Sequence, residues 1–269
     1  MTRTWTVAVV VWLSASILAI GCNPHDVAAA NRPRAPRTTW LVFDRGGLGD
    51  PVVPAVPAGA GRLYVYVTGA RTGALPRTMV SADLFTSFAA FRSALRAKEL
   101  PKDLRYVAYD PEKWSKTPRD EQLDPIRYMA EFTVLARRHG LRAILAPARD
   151  LMLVHGATCR KHRGITLDQA FVHCDVAAGA RGAGLFVIQS APEESTPRTF
   201  SLLLRRVSRQ VRRASPATTV VATLETGRVP VARLVRLADQ GLRYVDGFEV
   251  NTSPSTMRTT RDLMRHVRG

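Results

Sequence analysis

The chain has 269 residues, 46% of them apolar, and a formal net charge of +17. Lys occurs only at 98, 102, 113, 116 and 161, so the positive charge is almost all Arg. No aromatic-interleaved basic motif and no helix-turn-helix pattern accompanies it, which excludes nucleic acid as the expected partner. The charge reads first as the Arg and Ala enrichment of a GC-rich coding sequence. Its functional alternative is attraction to an anionic component of the cell envelope.

At the N-terminus, Arg3 precedes an uncharged run from Trp5 to Ile20. That run has the length of a signal-peptide core and is short for a membrane span. Residues 1–21 are therefore expected to be a signal peptide. Ala19-Ile20-Gly21-Cys22 has the form of a lipoprotein signal, with Cys22 as the lipidated residue; cleavage after Val27-Ala28-Ala29-Ala30 is the other exit. The protein is expected to be exported, held on the outer face of the cell membrane by the lipid or secreted. Residues 22–38 are Pro-, Ala- and Arg-rich without apolar periodicity and read as a disordered tether. The remaining 39–269 suffice for one domain, and a monomer is expected.

Apolar strand-like runs follow at 40–44, 62–68, 105–109, 142–146, 184–190, 218–224 and 244–250. Helical spacing appears at 81–97, 121–139, about 166–179, 197–214, 230–241 and 256–267. In 121–139, Ile126, Met129, Phe132, Val134, Leu135 and Ala136 form the expected buried side, and Gly140 the stop. In 197–214, Phe200, Leu203, Leu204, Val207 and Val211 do the same. The basic residues Arg205, Arg206, Arg209, Arg212 and Arg213 read as that helix's solvated face.

Strands apolar on both faces and alternating with helices predict an α/β fold with a parallel sheet covered by helices. Arg45-Gly46-Gly47-Leu48-Gly49 leads into a Pro-rich run, not a helix, so no phosphate-cradling loop is formed. The expected architecture is a single-domain (β/α) barrel of TIM type with seven or eight parallel strands. Either the closed barrel lacks one unit or the eighth strand lies near 171–176.

Functional residues of such a barrel sit at the C-terminal ends of its strands. Asp110 and Glu112 follow the run Tyr106-Val107-Ala108 and, two residues apart, point the same way. Trp114 offers an aromatic platform for a sugar ring. Glycoside hydrolysis needs an acid to protonate the leaving oxygen and a second carboxylate as base or nucleophile. Glu112 is the candidate acid and Asp110 the group that orients it or raises its pKa. Glu225 or Glu249 is the second carboxylate. Gln189, Asn251 and Asp44 close other strands and are candidate substrate-binding residues. Phe248 and Val250 are expected to face the helices, Glu249 and Asn251 the barrel interior. Structural readings stand beside these: Asp110 as a turn cap before Pro111, Asp44 paired with Arg45 or Arg71, and Glu121 as a cap of its own helix.

Two further patterns narrow the chemistry. Cys159 and Cys174, in an oxidising compartment, are expected to pair as a disulfide. His155, Cys159, His162 and His173 fit no zinc spacing, so no metal and no cofactor are expected. A Gly-x-Ser-x-Gly elbow is absent, which excludes a Ser-His-Asp hydrolase of that type.

The run YDPEKWSKTPRDEQLDP, with HGLRAILAPARDL, FVIQS and VDGFEVN, resembles a group of exported proteins of high-GC bacteria without an assigned activity. Their pattern is YDPExW, TPxxEQxDP, HGLxxxxAPxxDL, a Gln-bearing strand and a closing DGFWxN. The resemblance covers about residues 100–255. It implies a glycosidase-like barrel and points to Asp110, Glu112, Trp114, Glu121, Gln122, Asp150, Gln189 and Asn251. Here Glu249 stands where an aromatic is usual, and a single Gln stands at 189.

Two functions are thus expected at the rim. One is a lipid-anchored glycoside hydrolase acting on a carbohydrate polymer. The other is a non-catalytic envelope lipoprotein that binds polysaccharide or wall material, its mouth a salt network in which the rim glutamates pair with Arg149, Arg181 or Arg228.

Overall fold

The computed structural model describes residues 38–44, 62–67, 79–253 and 255–267. Cys22, the expected signal peptide 1–21, nearly all of the tether and the Gly-rich segment after 44 lie outside the described residues.

Eight strands close into one parallel barrel in sequence order: β1 (Thr39–Asp44), β2 (Leu63–Val67), β3 (Met79–Phe85), β4 (Tyr106–Tyr109), β5 (Arg142–Leu145), β6 (Leu185–Ile188), β7 (Thr219–Glu225) and β8 (Gly247–Thr252). The seven strands expected from hydropathy are all present. Closure comes from β8 against β1, with Trp40 opposite Phe248 and Leu41 opposite Glu249. At the start of that pairing Gly247 is required, because a Cβ there would lie 1.8 Å from the Thr39 carbonyl oxygen.

The helices are α1 (Phe88–Ala97), α2 (Arg119–Leu123), α3 (Pro125–Arg138), α4 (Leu167–His173), α5 (Pro197–Ala214), α6 (Val231–Gly241) and α7 (Met257–His266). Short 3₁₀ turns at Arg149–Leu153, Val176–Ala180 and Ala191–Glu193 complete the connections. Among the described residues no helix is long and apolar enough to cross a membrane.

Three expectations are corrected. The eighth strand is β3, not 171–176, which is the end of α4 and a 3₁₀ turn. In 81–97 the residues Leu84, Phe88, Phe91 and Leu95 recur at helical spacing across a strand–helix junction. Ser87 breaks the run: its hydroxyl accepts the Ala90 amide at 3.0 Å and starts α1. The helix expected over 121–139 is two helices, because Asp124-Pro125 ends α2 and begins α3. Of its expected buried side, Met129, Phe132 and Ala136 are buried, whereas Val134 is 48% exposed. Gly140, with φ +73°, ends α3 as expected.

Burial divides the apolar residues into two layers, as the period of two requires. Leu41, Tyr64, Ala82, Ala108, Ile144, Leu185, Val187 and Val221 fill the barrel interior. Trp40, Val65, Val107, Phe186, Phe248 and Val250 alternate with them and pack outward beneath the helices, against Phe91, Phe132, Phe200 and Leu234 among others. Phe248 and Val250 therefore face the helices, as expected. The Cys159–Cys174 disulfide forms, with Cα atoms 5.6 Å apart, and ties the loop after β5 to the end of α4.

Candidate active site at the C-terminal rim

Above the apolar interior the inward positions become polar. Tyr66 of β2, Thr223 and Glu225 of β7, and Glu249 and Asn251 of β8 line a cavity of ≈ 180 Å³ together with Asp110, Glu112, Gln189 and Arg228. Leu84 of β3 and Ala146, just past β5, supply its apolar part. Glu249 and Asn251 thus take the inward places that alternation assigned them.

Asp110 continues the β3–β4 ladder, its amide donating to Phe85 O at 3.0 Å. Its Oδ1 accepts from Gln189 Nε2 at 3.1 Å, and the same amide group donates to Ala146 O at 3.0 Å. Gln189 therefore bridges β4, β5 and β6 at one point. Burial pushes the Asp110 carboxyl well above its ordinary range; the Glu112, Glu249 and Asp150 carboxylates push the same way, and the Gln189 hydrogen bond opposes them. Across the cavity, Thr223 Oγ1 donates to Glu249 Oε2 at 2.5 Å. The buried Tyr66 phenol is held far above its ordinary pKa by burial first and by the Glu249 and Asp110 carboxylates next.

The β7 end is arranged differently. Arg228 Nε lies 3.0 Å from Glu225 Oε2, an ion pair at the edge of the cavity. Behind it Glu194, fully buried, accepts the Glu225 amide at 2.6 Å through Oε1. Burial raises the Glu194 carboxyl to about 7, against the pull of the Glu225 amide and of Arg228. Arg149 pairs with Asp168 and with Glu193 at 3.1 Å, and so joins the loops after β5 and β6 rather than any rim glutamate.

The loop carrying Glu112 is held from several directions. Thr117 Oγ1 accepts the Glu112 amide at 3.2 Å and the Trp114 indole N–H at 2.9 Å, and donates to Thr86 O at 2.8 Å. Gln122 Nε2 donates to Trp114 O and to Thr117 O, both at 2.7 Å. Asp150 Oδ1 accepts the Lys113 amide at 3.0 Å. Glu121, 2% exposed, is turned away from the cavity and caps another helix: it accepts the amides of Phe88 at 2.7 Å and Ala89 at 3.0 Å and the Tyr109 hydroxyl at 2.7 Å. It is a cap for α1, not for its own helix.

The structure thus brings together six of the eight expected rim residues: Asp110, Glu112, Gln189, Glu225, Glu249 and Asn251. Trp114 stands outside the cavity lining, with Lys116 Nζ 5.0 Å from its ring centroid. Asp44 ends β1 opposite Thr252, and its side chain lies outside the described residues. Tyr66, Thr223 and Glu194 were not singled out from sequence. Tyr66 carries a signal, since Leu63-Tyr64-Val65-Tyr66 alternates on a strand end; Glu194 carries none.

Fold and site together define the class. The described residues form a (β/α)₈ barrel with a carboxylate-lined mouth at the C-terminal ends of its strands. No family model and no curated protein matches this sequence. Among solved structures it is similar to the catalytic domain of a family GH18 chitinase from the fern Peteris ryukyuensis. The two share 9% identity over 86% of this chain and 100% of that one, with a TM-score of 0.52. RipC from Yersinia pestis matches over 85% of this chain and 94% of its own at 10% identity, with a TM-score of 0.45.

Proposed function

We propose that this protein acts on a carbohydrate at the rim cavity as a glycoside hydrolase, with Glu112 as the proton donor and Asp110 as its partner. The observation that carries the reading is the buried Asp110 carboxyl, held by Gln189 two residues before Glu112 and surrounded by Glu112, Glu249 and Asp150. A buried carboxyl set beside further carboxylates is what acid-assisted glycosidic cleavage uses. Asp110, its carboxyl pKa raised by burial, stands beside Glu112, and Glu249 is the second carboxylate. Tyr66 is an aromatic of the cavity, and Glu249 is oriented by Thr223. The fold of a chitinase catalytic domain is in keeping with a sugar substrate. Export is supported by the Cys159–Cys174 bond, which persists in oxidising compartments. Lipidation at Cys22 is part of the same reading, tested by Cys22→Ala releasing the protein from the membrane fraction.

The second reading is a non-catalytic envelope protein that binds polysaccharide, and the Glu225–Arg228 ion pair favours it, because it makes that side of the mouth a salt network. One experiment separates the two. The full chain and a Glu112→Gln variant are offered a panel of neutral, amino and uronic polysaccharides, and released reducing ends are read beside binding. Loss of about 10²-fold or more in turnover with binding retained supports the hydrolase. Binding without turnover, unchanged by the substitution, supports the binding protein and overturns the catalytic reading.

A further inference from the structure

Far from the rim, the arginines of α5 do more than face solvent. Arg205, Arg209, Arg212 and Arg213 line a groove of ≈ 440 Å³ with Arg243 and Tyr244, which arrive from the turn between α6 and β8. Two segments some thirty residues apart thus converge their guanidinium groups on one concavity. Helical spacing alone accounts for the α5 face but not for Arg243. The helix dipole accounts for cations in the last turn, Arg212 and Arg213, but not for Arg205 and Arg209 in earlier turns. Helix α5 contains no acidic residue, so its like charges at three- and four-residue spacing repel without relief from their own helix.

One arginine is built into the structure. Arg212 donates to Tyr244 O at 2.7 Å and to Asp246 Oδ1 at 3.2 Å, clasping α5 to the turn and fixing the groove's two walls. Among the described residues, Arg205, Arg209, Arg213 and Arg243 are exposed and form no ion pair with a carboxylate. Four guanidinium groups stand ready on preset walls.

We propose that this groove binds a linear polyanion whose charges lie on successive phosphate groups. Arg205, Arg209 and Arg213 are spaced by one helical turn, about 6 Å apart along the axis, and so meet successive anions of one chain. A carboxylate is satisfied by a single guanidinium fork. A tetrahedral phosphate offers oxygens to more than one, which suits arginines converging from two walls. The last turn of α5 and Arg243 precede the starts of β7 and β8, at the end of the barrel opposite the rim. A polymer lying here leaves the rim open, so the groove is independent of the chemistry proposed there.

The test uses the full chain at fixed ionic strength, with labelled inorganic polyphosphate as probe and fluorescence anisotropy as readout. Arg205→Glu/Arg209→Glu/Arg213→Glu is compared with a charge-matched variant on α7, Arg258→Glu/Arg261→Glu/Arg265→Glu. All six side chains are exposed, and circular dichroism checks folding. A triple Arg→Gln variant at the α5 positions retains good helix formers should the Glu variant misfold. The expected result is binding weakened at least about tenfold by the α5 changes, with the slope of log affinity against log salt falling by about two, and little change in the α7 variant. Equal loss in both variants means attraction to net charge alone and overturns the proposal. So do failure of the parent chain to bind polyphosphate, equal binding of polyglutamate, and binding confined to phosphatidylglycerol vesicles.

Discussion

Glu121 is the sharpest test of how the site is held. Its carboxylate satisfies the amides of Phe88 and Ala89, and Ser87 Oγ satisfies that of Ala90, so the first three amides of α1 all have acceptors. Tyr109, fully buried, spends its hydroxyl on the same carboxylate. Replacing Glu121 with Ala leaves two amides and a phenol without an acceptor at a site 2% exposed. At roughly 1–2 kcal/mol for each hydrogen bond, the loss is about 3–6 kcal/mol. For a barrel of this size that lowers Tm by roughly 6–24 °C. Tyr109→Phe removes one donor of the three and is expected to cost about 1 kcal/mol. The double variant should cost less than the sum of the two, by about the energy of their shared hydrogen bond. Chemical unfolding of the four proteins supplies the cycle, and rim activity is measured per folded molecule. If Glu121→Ala left stability within 1 kcal/mol of the parent while abolishing activity, Glu121 would belong to the rim chemistry and its assignment as a cap would be wrong.

Other outcomes follow from the same contacts. Thr117→Val deletes the hydroxyl that receives the Glu112 amide and the Trp114 indole; a melt should show a loss of about 1–3 kcal/mol, with rim activity falling further than that loss explains. Breaking the Cys159–Cys174 bond by Cys174→Ser frees a loop of 15 residues and should cost about 3 kcal/mol by denaturant titration, with an unchanged curve refuting the constraint. Glu194 has a folded-state pKa of about 7, above its ordinary 4.5. Its protonated form is therefore the one folding favours, and that stability is complete below about pH 4.5 and lost as pH rises through 7. Glu194→Gln, which keeps an acceptor for the Glu225 amide, should exceed the parent by about 3 kcal/mol at pH 8 and match it at pH 4. A constant difference at all pH values would show that Glu194 does not titrate in this range.

Much of the site was legible because strands announce their ends. Asp110 and Glu112 follow an apolar run at a spacing of two, and the same alternation sends Glu249 and Asn251 inward and Phe248 and Val250 outward. What escaped notice lies in contacts between distant segments. Glu121 looked like a first-turn acid of its own helix, but the amides it caps are 32 and 33 residues earlier in the chain. Trp114 looked like a sugar platform, yet Thr117 and Gln122 hold it as part of the loop's frame, outside the cavity. Strand β3 hid inside a helical periodicity because Leu84, Phe88, Phe91 and Leu95 fall at matching intervals across the Ser87 cap.

The sequence by itself determined the architecture, since runs apolar on both faces that alternate with amphipathic helices can be buried only as a parallel sheet wrapped in helices. It also determined which residues stand at strand ends, because side-chain direction along a strand is local. Only the tertiary structure decided which of those ends share one cavity and which acids are spent on amides and guanidinium groups. It alone showed that Arg243 joins the α5 arginines in one groove. Those relations depend on barrel closure and on the crossing of segments far apart in the chain, and no periodicity within a segment encodes them.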